Sequence, residues 1–267
     1  MNEVRDVTGT AFVVAEFRAR ENAEAHPLYR DPIVPIFLDE RTRREADAIS
    51  DGFPAAASNV RLRTRYFDDR LDEQLANGCR QVVILGAGLD TRAARKRAPG
   101  VAYFEIDDVN TLSFKEVRLA ENRIPAEVTY IPGDYVAAGV VDLLDKNGFK
   151  RELPTFFIWE GNTTYLGPVM QVLAEVKESV PTFAMSFDCM DEDSRADDRR
   201  CTRHDFCRAL RGDGRTLASR HRRFIGSGGR GSAGRRRRDD GGGAPPPPIG
   251  PAGLWIPLCM STIRSAR

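Results

Sequence analysis

Two glycines and one acid carry the most chemistry in this chain. Gly86 and Gly88 close the apolar run Val82 to Leu85, and Asp107 stands 19 residues beyond Gly88 at the end of a second run, Val101 to Ile106. Glycine has no Cβ, so a turn built on two of them tightens easily and lets a ligand lie against bare backbone. A carboxylate about 20 residues further on is placed to reach a ribose. Glu105 shares Asp107's side of a strand, so spacing alone does not choose between them. A lone G-x-G is more often an ordinary strand-to-helix turn; the downstream acid argues against that here. Two ligands fit, a nicotinamide dinucleotide and S-adenosyl-L-methionine, which keeps the ribose and has no pyrophosphate. The third glycine of a dinucleotide fingerprint would fall at position 91, which is Thr91, and this favours S-adenosyl-L-methionine.

The elements that must position these residues follow from the pattern around them. Val82 to Leu85 is short, apolar and rich in β-branched residues, as a buried parallel strand requires, and Asp90 or Thr91 can cap a helix over Thr91 to Arg97. Further strands are expected at Val101 to Asp107, Glu127 to Ile131, Thr155 to Trp159 and Thr182 to Phe187, with helices at Asn110 to Asn122 and Gly167 to Ser179. Five strands alternating with helices make a parallel α/β sheet, whose ligands bind at the carboxyl ends of the strands. Asp134 and Glu160 are delivered to that edge. Before the first strand, Thr10 to Ala25 carries Phe12, Val13 and Phe17 at helical spacing. Asn59 to Asn77 carries Leu62, Phe67, Leu71 and Leu75, with Gly78 as its stop.

Four motifs in order give the chain a family resemblance. Arg63 to Asp69 (RTRYFDD), Ile84 to Ala93 (ILGAGLDTRA), Phe104 to Asp107 (FEID) and Trp159 to Gly161 with Tyr165-Leu166 resemble the leucine carboxyl methyltransferase family over about residues 10 to 190. The resemblance implies a class I methyltransferase fold and methyl transfer to an oxygen, commonly a carboxylate. It implies that Arg65 pairs with the carboxylate of the cofactor's methionine part, a task suited to a bidentate guanidinium. It also places Asp134 and the following residue on the adenine side. Here that residue is Tyr135 where the family has leucine, and Asp108-Val109 stands where the family has a proline. Glu160 is expected to attract the sulfonium or shape the substrate pocket. The cofactor-binding set is therefore Arg65, Gly86, Gly88, Asp107, Asp134, Tyr135 and Glu160. No histidine is placed to serve as a base, so the catalytic residues are left open.

Charge divides the chain. Residues 1–194 hold 23 basic against 33 acidic residues, whereas residues 195–267 hold 17 against 6, all of the basic ones arginine. The later part includes Arg235 to Arg238, Gly241 to Gly243 and Pro245 to Pro248, a composition that does not build a packed core. Three regions are expected: an N-terminal helical cap (1–80), an S-adenosyl-L-methionine-binding α/β core (81–194) and an aberrant Arg/Gly/Pro-rich segment (195–267). Only Leu254 to Met260 reads as a strand there, which leaves the C-terminal closing strands doubtful or missing; if they are missing, the last parallel strand is open at its edge. A reading-frame change near residue 190 to 210 would account for it.

The five cysteines, Cys79, Cys189, Cys201, Cys207 and Cys259, are odd in number and scattered, which does not suggest a disulfide framework. Cys201, His204, Cys207 and His221 do not match the spacing of a structural zinc site, so no metal is expected. No signal peptide and no membrane span is read, and the arginine run lacks the aromatic interleaving of a nucleic-acid motif. The expected function is a cytoplasmic S-adenosyl-L-methionine-dependent O-methyltransferase acting on a carboxylate or hydroxyl of a small molecule, without nucleic-acid or membrane partners. The alternatives are an inactive or unstable remnant of such an enzyme and, less favoured, an NAD-dependent oxidoreductase.

Overall fold

A computed structural model describes residues 7–52, 55–163, 169–190 and 258–265. Three helices come first: α1 (Val7–Arg20), α2 (Glu40–Gly52) and α3 (Ala55–Ala76). Then strands and helices alternate: β1 (Gln81–Leu85), α4 (Arg92–Arg95), β2 (Ala102–Asp107), α5 (Val109–Glu121), β3 (Val128–Pro132), α6 (Tyr135–Ala138), α7 (Val140–Asp145), β4 (Thr155–Trp159), α8 (Val169–Ser179) and β5 (Phe183–Met190). A last strand, β6 (Leu258–Arg264), follows. The sheet runs β3-β2-β1-β4-β5-β6, with the first five strands parallel and β6 antiparallel to β5.

Continuous apolar runs form the central strands because both faces of the sheet are covered. Val83, Leu85, Ile106, Phe157, Trp159 and Phe187 face α7 and α8 through Leu144, Val172 and Val176. Val82, Ile84, Tyr103, Phe156 and Ile158 face Phe67 and Leu71 of α3. Helix α1 inserts Val13 and Phe17 against Ala46, Ala56 and Val60, and Ala15 against Val34, Phe37 and Leu119. From β1 the chain moves to one side through β2 and β3, then crosses to the other side at β4. The carboxyl ends of β1 and β4 therefore flank the switch point at which ligands of such sheets bind.

The five expected strands are all present within two or three residues of their expected ends. Leu62 is not part of the inward stripe of α3 and is 58% exposed; at about 100° per residue the stripe runs Val60, Thr64, Phe67 and Leu71. Helices α6 and α7, too short to show a period, were not expected.

The edge that missing closing strands would leave open is covered: β6 pairs with β5 from Ala184 opposite Arg264 to Met190 opposite Leu258. Strand alternation explains why this segment fits. Thr262 faces α3, where its hydroxyl meets Tyr66 Oη at 2.8 Å and Ser186 Oγ at 2.6 Å. Ile263, on the other face, joins the apolar core, and Arg264 pairs with Glu73 of α3 at 2.5 Å. The strand lies four residues later than the expected Leu254 to Met260. Tyr165-Leu166, the start of the expected helix at Gly167, the Arg/Gly/Pro tract and the Cys201/His204/Cys207/His221 set lie outside the described residues. No helix among the described residues is long and apolar enough to cross a membrane.

Candidate functional site at the switch point

Strand β1 ends in the turn Gly86-Ala87-Gly88, with φ of 60° at Gly86 and 48° at Gly88. Both values lie in the left-handed region, where a Cβ is disfavoured. The two glycines differ in what covers them. A Cβ on Gly86 would lie 2.1 Å from Nδ2 of Asn162, whose amide donates to the Gly86 carbonyl at 2.9 Å. The face of Gly86 is thus occupied by the chain itself. Among the described residues, a Cβ on Gly88 would meet only Ala11, at 3.6 Å, an ordinary contact.

Asp107, the last residue of β2, is held by this turn. Its Oδ2 accepts from the Gly88 amide at 2.6 Å and its Oδ1 from the Asp108 amide at 2.7 Å. Burial pushes its carboxyl above the ordinary carboxylate value, and the two amide bonds oppose that shift. Glu105, on the same side of β2, has a different place. It is fully buried and ion-paired at 2.5 Å with the equally buried Lys115 of α5. Burial raises its carboxyl to about 7 despite that lysine. The structure thus separates the two acids that spacing could not: Asp107 touches the glycine turn, and Glu105 lies inside. Asp108 caps α5 by accepting from the Asn110 and Thr111 amides, which is what stands in place of the family's proline.

Across the switch point, Glu160 follows β4 and sits among arginines. Arg63 Nε donates to its Oε1 at 3.0 Å and Arg92 Nη1 to its Oε2 at 2.7 Å. Arg63 also reaches Asp188 at the carboxyl end of β5, at 3.2 Å, and Asp188 accepts from the Gly161 amide at 2.9 Å. Arg92 pairs with Asp68 at 2.8 Å and Asp90 at 2.5 Å, and Arg95 pairs with Asp68 at 2.6 Å. Thr91 Oγ1 donates to Asp31 at 2.6 Å, and Arg18 donates to Asp31 at 2.8 Å. The network therefore joins α1, the stretch before α2, α3, the β1–α4 turn and the ends of β4 and β5. Its arginines (18, 63, 92, 95) face one more acid (31, 68, 90, 160, 188). Neighbouring guanidinium groups hold the Asp31, Asp68 and Asp90 carboxyls below their usual value against the cost of burial, whereas burial dominates at Asp188 and raises it.

The remaining expected residues fall elsewhere. Arg65 is not brought to this site: it bonds Asp69 at 2.7 Å and the Leu28 carbonyl at 2.7 Å, with its side chain 48% exposed. Two residues along a helix are about 200° of rotation, so when Arg63 faces the sheet edge Arg65 faces away. Arg63, a residue the sequence reading passed over, is the arginine of that motif at the site. The signal that could have found it is its i, i+4, i+8 relation to Phe67 and Leu71. Tyr135 lies in the apolar core, its ring edge-on to Trp159 at 6.2 Å and its hydroxyl accepting from the Trp159 Nε1–H at 3.1 Å. Asp134 is exposed and caps α6 through the Val136 and Ala137 amides at 2.9 and 3.1 Å.

Known proteins resemble this chain over the same region. A sequence model of the leucine carboxyl methyltransferase family matches residues 11–175. A protein of Frankia alni provisionally named an S-adenosyl-L-methionine-dependent methyltransferase is 34% identical over 183 residues, spanning 61% of this chain and 61% of its own length. A protein of Mycobacteroides abscessus with the same provisional name is 35% identical over 185 residues, spanning 64% of this chain and 58% of its own. The chain thus spans about three fifths of the length of these relatives. Among solved structures, a provisionally assigned methyltransferase of Thermobifida fusca aligns over 74% of this chain and 71% of its own, at 16% identity and a TM-score of 0.45.

Proposed function

The chain belongs to the leucine carboxyl methyltransferase family, and from that premise we propose that it binds S-adenosyl-L-methionine at the β1–β4 switch point. There it methylates a carboxylate or hydroxyl oxygen of a small molecule in the cytoplasm. The observation that carries the reading is Asp107. A carboxylate fixed by the Gly88 amide at the end of β2 stands where a ribose diol would donate to it, next to a turn whose second glycine is open on its ligand side.

The donor set fits the rest of that cofactor. Arg63 would hold the methionine carboxylate, as a planar guanidinium does well. Glu160 and the surplus acid of the network would favour the ammonium and sulfonium, because charges in a partly dry site interact more strongly than in water. Asp134 would serve the adenine side, with its Oδ1 spent on the cap of α6. Gly86 would act through the position of its carbonyl and through Asn162 rather than as bare backbone.

The cofactor supplies a methyl group on a sulfonium, which a nucleophilic oxygen can accept without acid catalysis. What the chain's own residues must then do is orientation and exclusion of water. A carboxylate acceptor needs no base. A hydroxyl acceptor needs a proton acceptor, and Glu160 is already held by two arginines, so a carboxylate suits this site better.

Calorimetry with S-adenosylhomocysteine and, in parallel, with NAD tests the proposal. S-Adenosylhomocysteine should bind and NAD should not, and Asp107→Asn should weaken the former at least about tenfold through loss of a charge-assisted hydrogen bond. Binding of NAD alone, or unchanged affinity in Asp107→Asn, would overturn it.

A further inference from the structure

The β5–β6 ladder holds a feature independent of the methyltransferase reading. Its register sets Cys189 directly opposite Cys259, between the pairs Asp188 with Met260 and Met190 with Leu258. Residues directly opposite on antiparallel strands lie on the same face of the sheet, with Cα atoms about 4.5–5.5 Å apart. That separation lies inside the roughly 4.4–6.8 Å span usual between the Cα atoms of disulfide-bonded cysteines. Two cysteines brought to one register position from the two ends of residues 191–257 are a juxtaposition that sequence spacing does not reveal.

We propose that Cys189 and Cys259 form a dithiol site that closes to a cross-strand disulfide, fixing β6 to the sheet. The oxidant is a low-molecular-weight disulfide. The thiolate of one cysteine attacks it, giving a mixed disulfide and releasing one thiol. The second cysteine thiolate then displaces the other half as a second thiol, and the two cysteine protons end on the two released thiols. Electrons balance, since two cysteine sulfurs are oxidised as one external disulfide is reduced.

The position gives the bond a consequence. Docking β6 closes a loop of roughly 70 residues, and the entropy of that closure works against the docked strand; a covalent bond at the ladder's end removes the reopening. Cys189 also directly follows Asp188, whose carboxylate holds the Gly161 amide and Arg63. The bond would therefore anchor the β5 limb of the site as well as the sheet edge.

The test uses the full chain incubated with oxidised glutathione, alkylated and measured by intact mass, then digested with trypsin without reduction. The expected species carries alkyl groups on three of the five cysteines and, apart from those groups, is lighter by about 2 Da, as loss of two hydrogens requires. The expected map joins peptide 178–195, which holds Cys189, to peptide 239–264, which holds Cys259. Dithiothreitol should separate them and lower the melting temperature. A Cys201→Ser/Cys207→Ser double variant should keep the link and Cys259→Ser should lose it. Glutathione adducts without the link, a link through Cys201, Cys207 or Cys79, or no mass change would overturn the proposal. The peptide map of the parent decides the matter even where Cys259→Ser folds poorly.

Discussion

Replacing Arg92 by methionine should cost this protein more stability than its chain length would suggest. Arg92 is 1% exposed and is bonded to Asp68, Asp90 and Glu160. Methionine fills much of the volume but leaves three carboxylates without that cation. Removing one partner of a buried ion pair costs roughly 3–5 kcal/mol, because the other charge stays buried and unpaired. For a chain of this size each kcal/mol shifts the melting temperature by about 2–4 °C, so the expected fall at pH 7 is about 6–20 °C. Arg65→Ala is the control. Arg65 is half exposed and pairs with Asp69 one turn away, an arrangement worth well under about 1 kcal/mol.

The pH dependence separates an ionic cause from a packing defect. In the parent, arginines lower the Asp31, Asp68 and Asp90 carboxyls. Their contribution is present above the unfolded carboxylate value and is lost as pH falls through the folded one. Without Arg92 the opposite sign applies at Asp90, which loses its guanidinium partner, whereas Asp68 keeps Arg95 and Glu160 keeps Arg63; burial then works against the charged form of Asp90 and lifts its folded value. That penalty is absent below the unfolded value and grows as pH rises from there to the folded value. The two melting curves should therefore converge between pH 7 and pH 4. Melting temperatures within about 2 °C of each other at pH 7 would contradict the ionic account, and so would a gap that does not change with pH.

Three further outcomes are expected. Arg63→Lys should weaken S-adenosylhomocysteine at least about tenfold by calorimetry, since an ammonium does not reproduce the guanidinium fork, while Arg65→Lys leaves it unchanged; the reverse order would restore Arg65 to the site. Gly86→Ala should destabilise more than Gly88→Ala in urea titration: both pay about 1–2 kcal/mol for a left-handed non-glycine residue, and only the former drives a methyl to 2.1 Å from the Asn162 amide. Thr262→Val should lower stability by about 1–3 kcal/mol, because it leaves Tyr66 and Ser186 without their shared hydroxyl partner; a neutral result would mean that β6 is not held against α3.

The sheet was legible because its signals are local. Val82 to Leu85 and Thr155 to Trp159 are short apolar runs that only a strand buried on both faces explains, and the glycine turn and Asp107 lie at strand ends by spacing alone. What was not legible depends on rotation about a helix axis or on distant partners. The choice between Arg63 and Arg65 needs the orientation of α3, which is set by Phe67 and Leu71 meeting the sheet. The family resemblance puts Tyr135 on the adenine side, yet its ring goes inward to Trp159. Strand β6 is legible as a strand near Leu254 to Met260, but its pairing is not, because its partners, Ser186 and Tyr66, come from far earlier in the chain.

The same distinction explains why Asp90, Thr91 and Arg92 follow the glycine turn so closely. A turn at a sheet edge that must admit a ligand gives up packing on that side, and here ionic contacts compensate. Arg92 ties the turn to α3 through Asp68 and to β4 through Glu160. Thr91 ties it to Asp31, and Arg18 donates to the Leu89 carbonyl at 3.0 Å. The turn is thereby fixed from three sides while Gly88 stays open. A binding loop held in this way loses little conformational freedom when it is occupied. On the proposed reading, the arginine and aspartate after the glycines would contribute to binding by fixing the turn, although none of Asp90, Thr91 and Arg92 need touch the ligand.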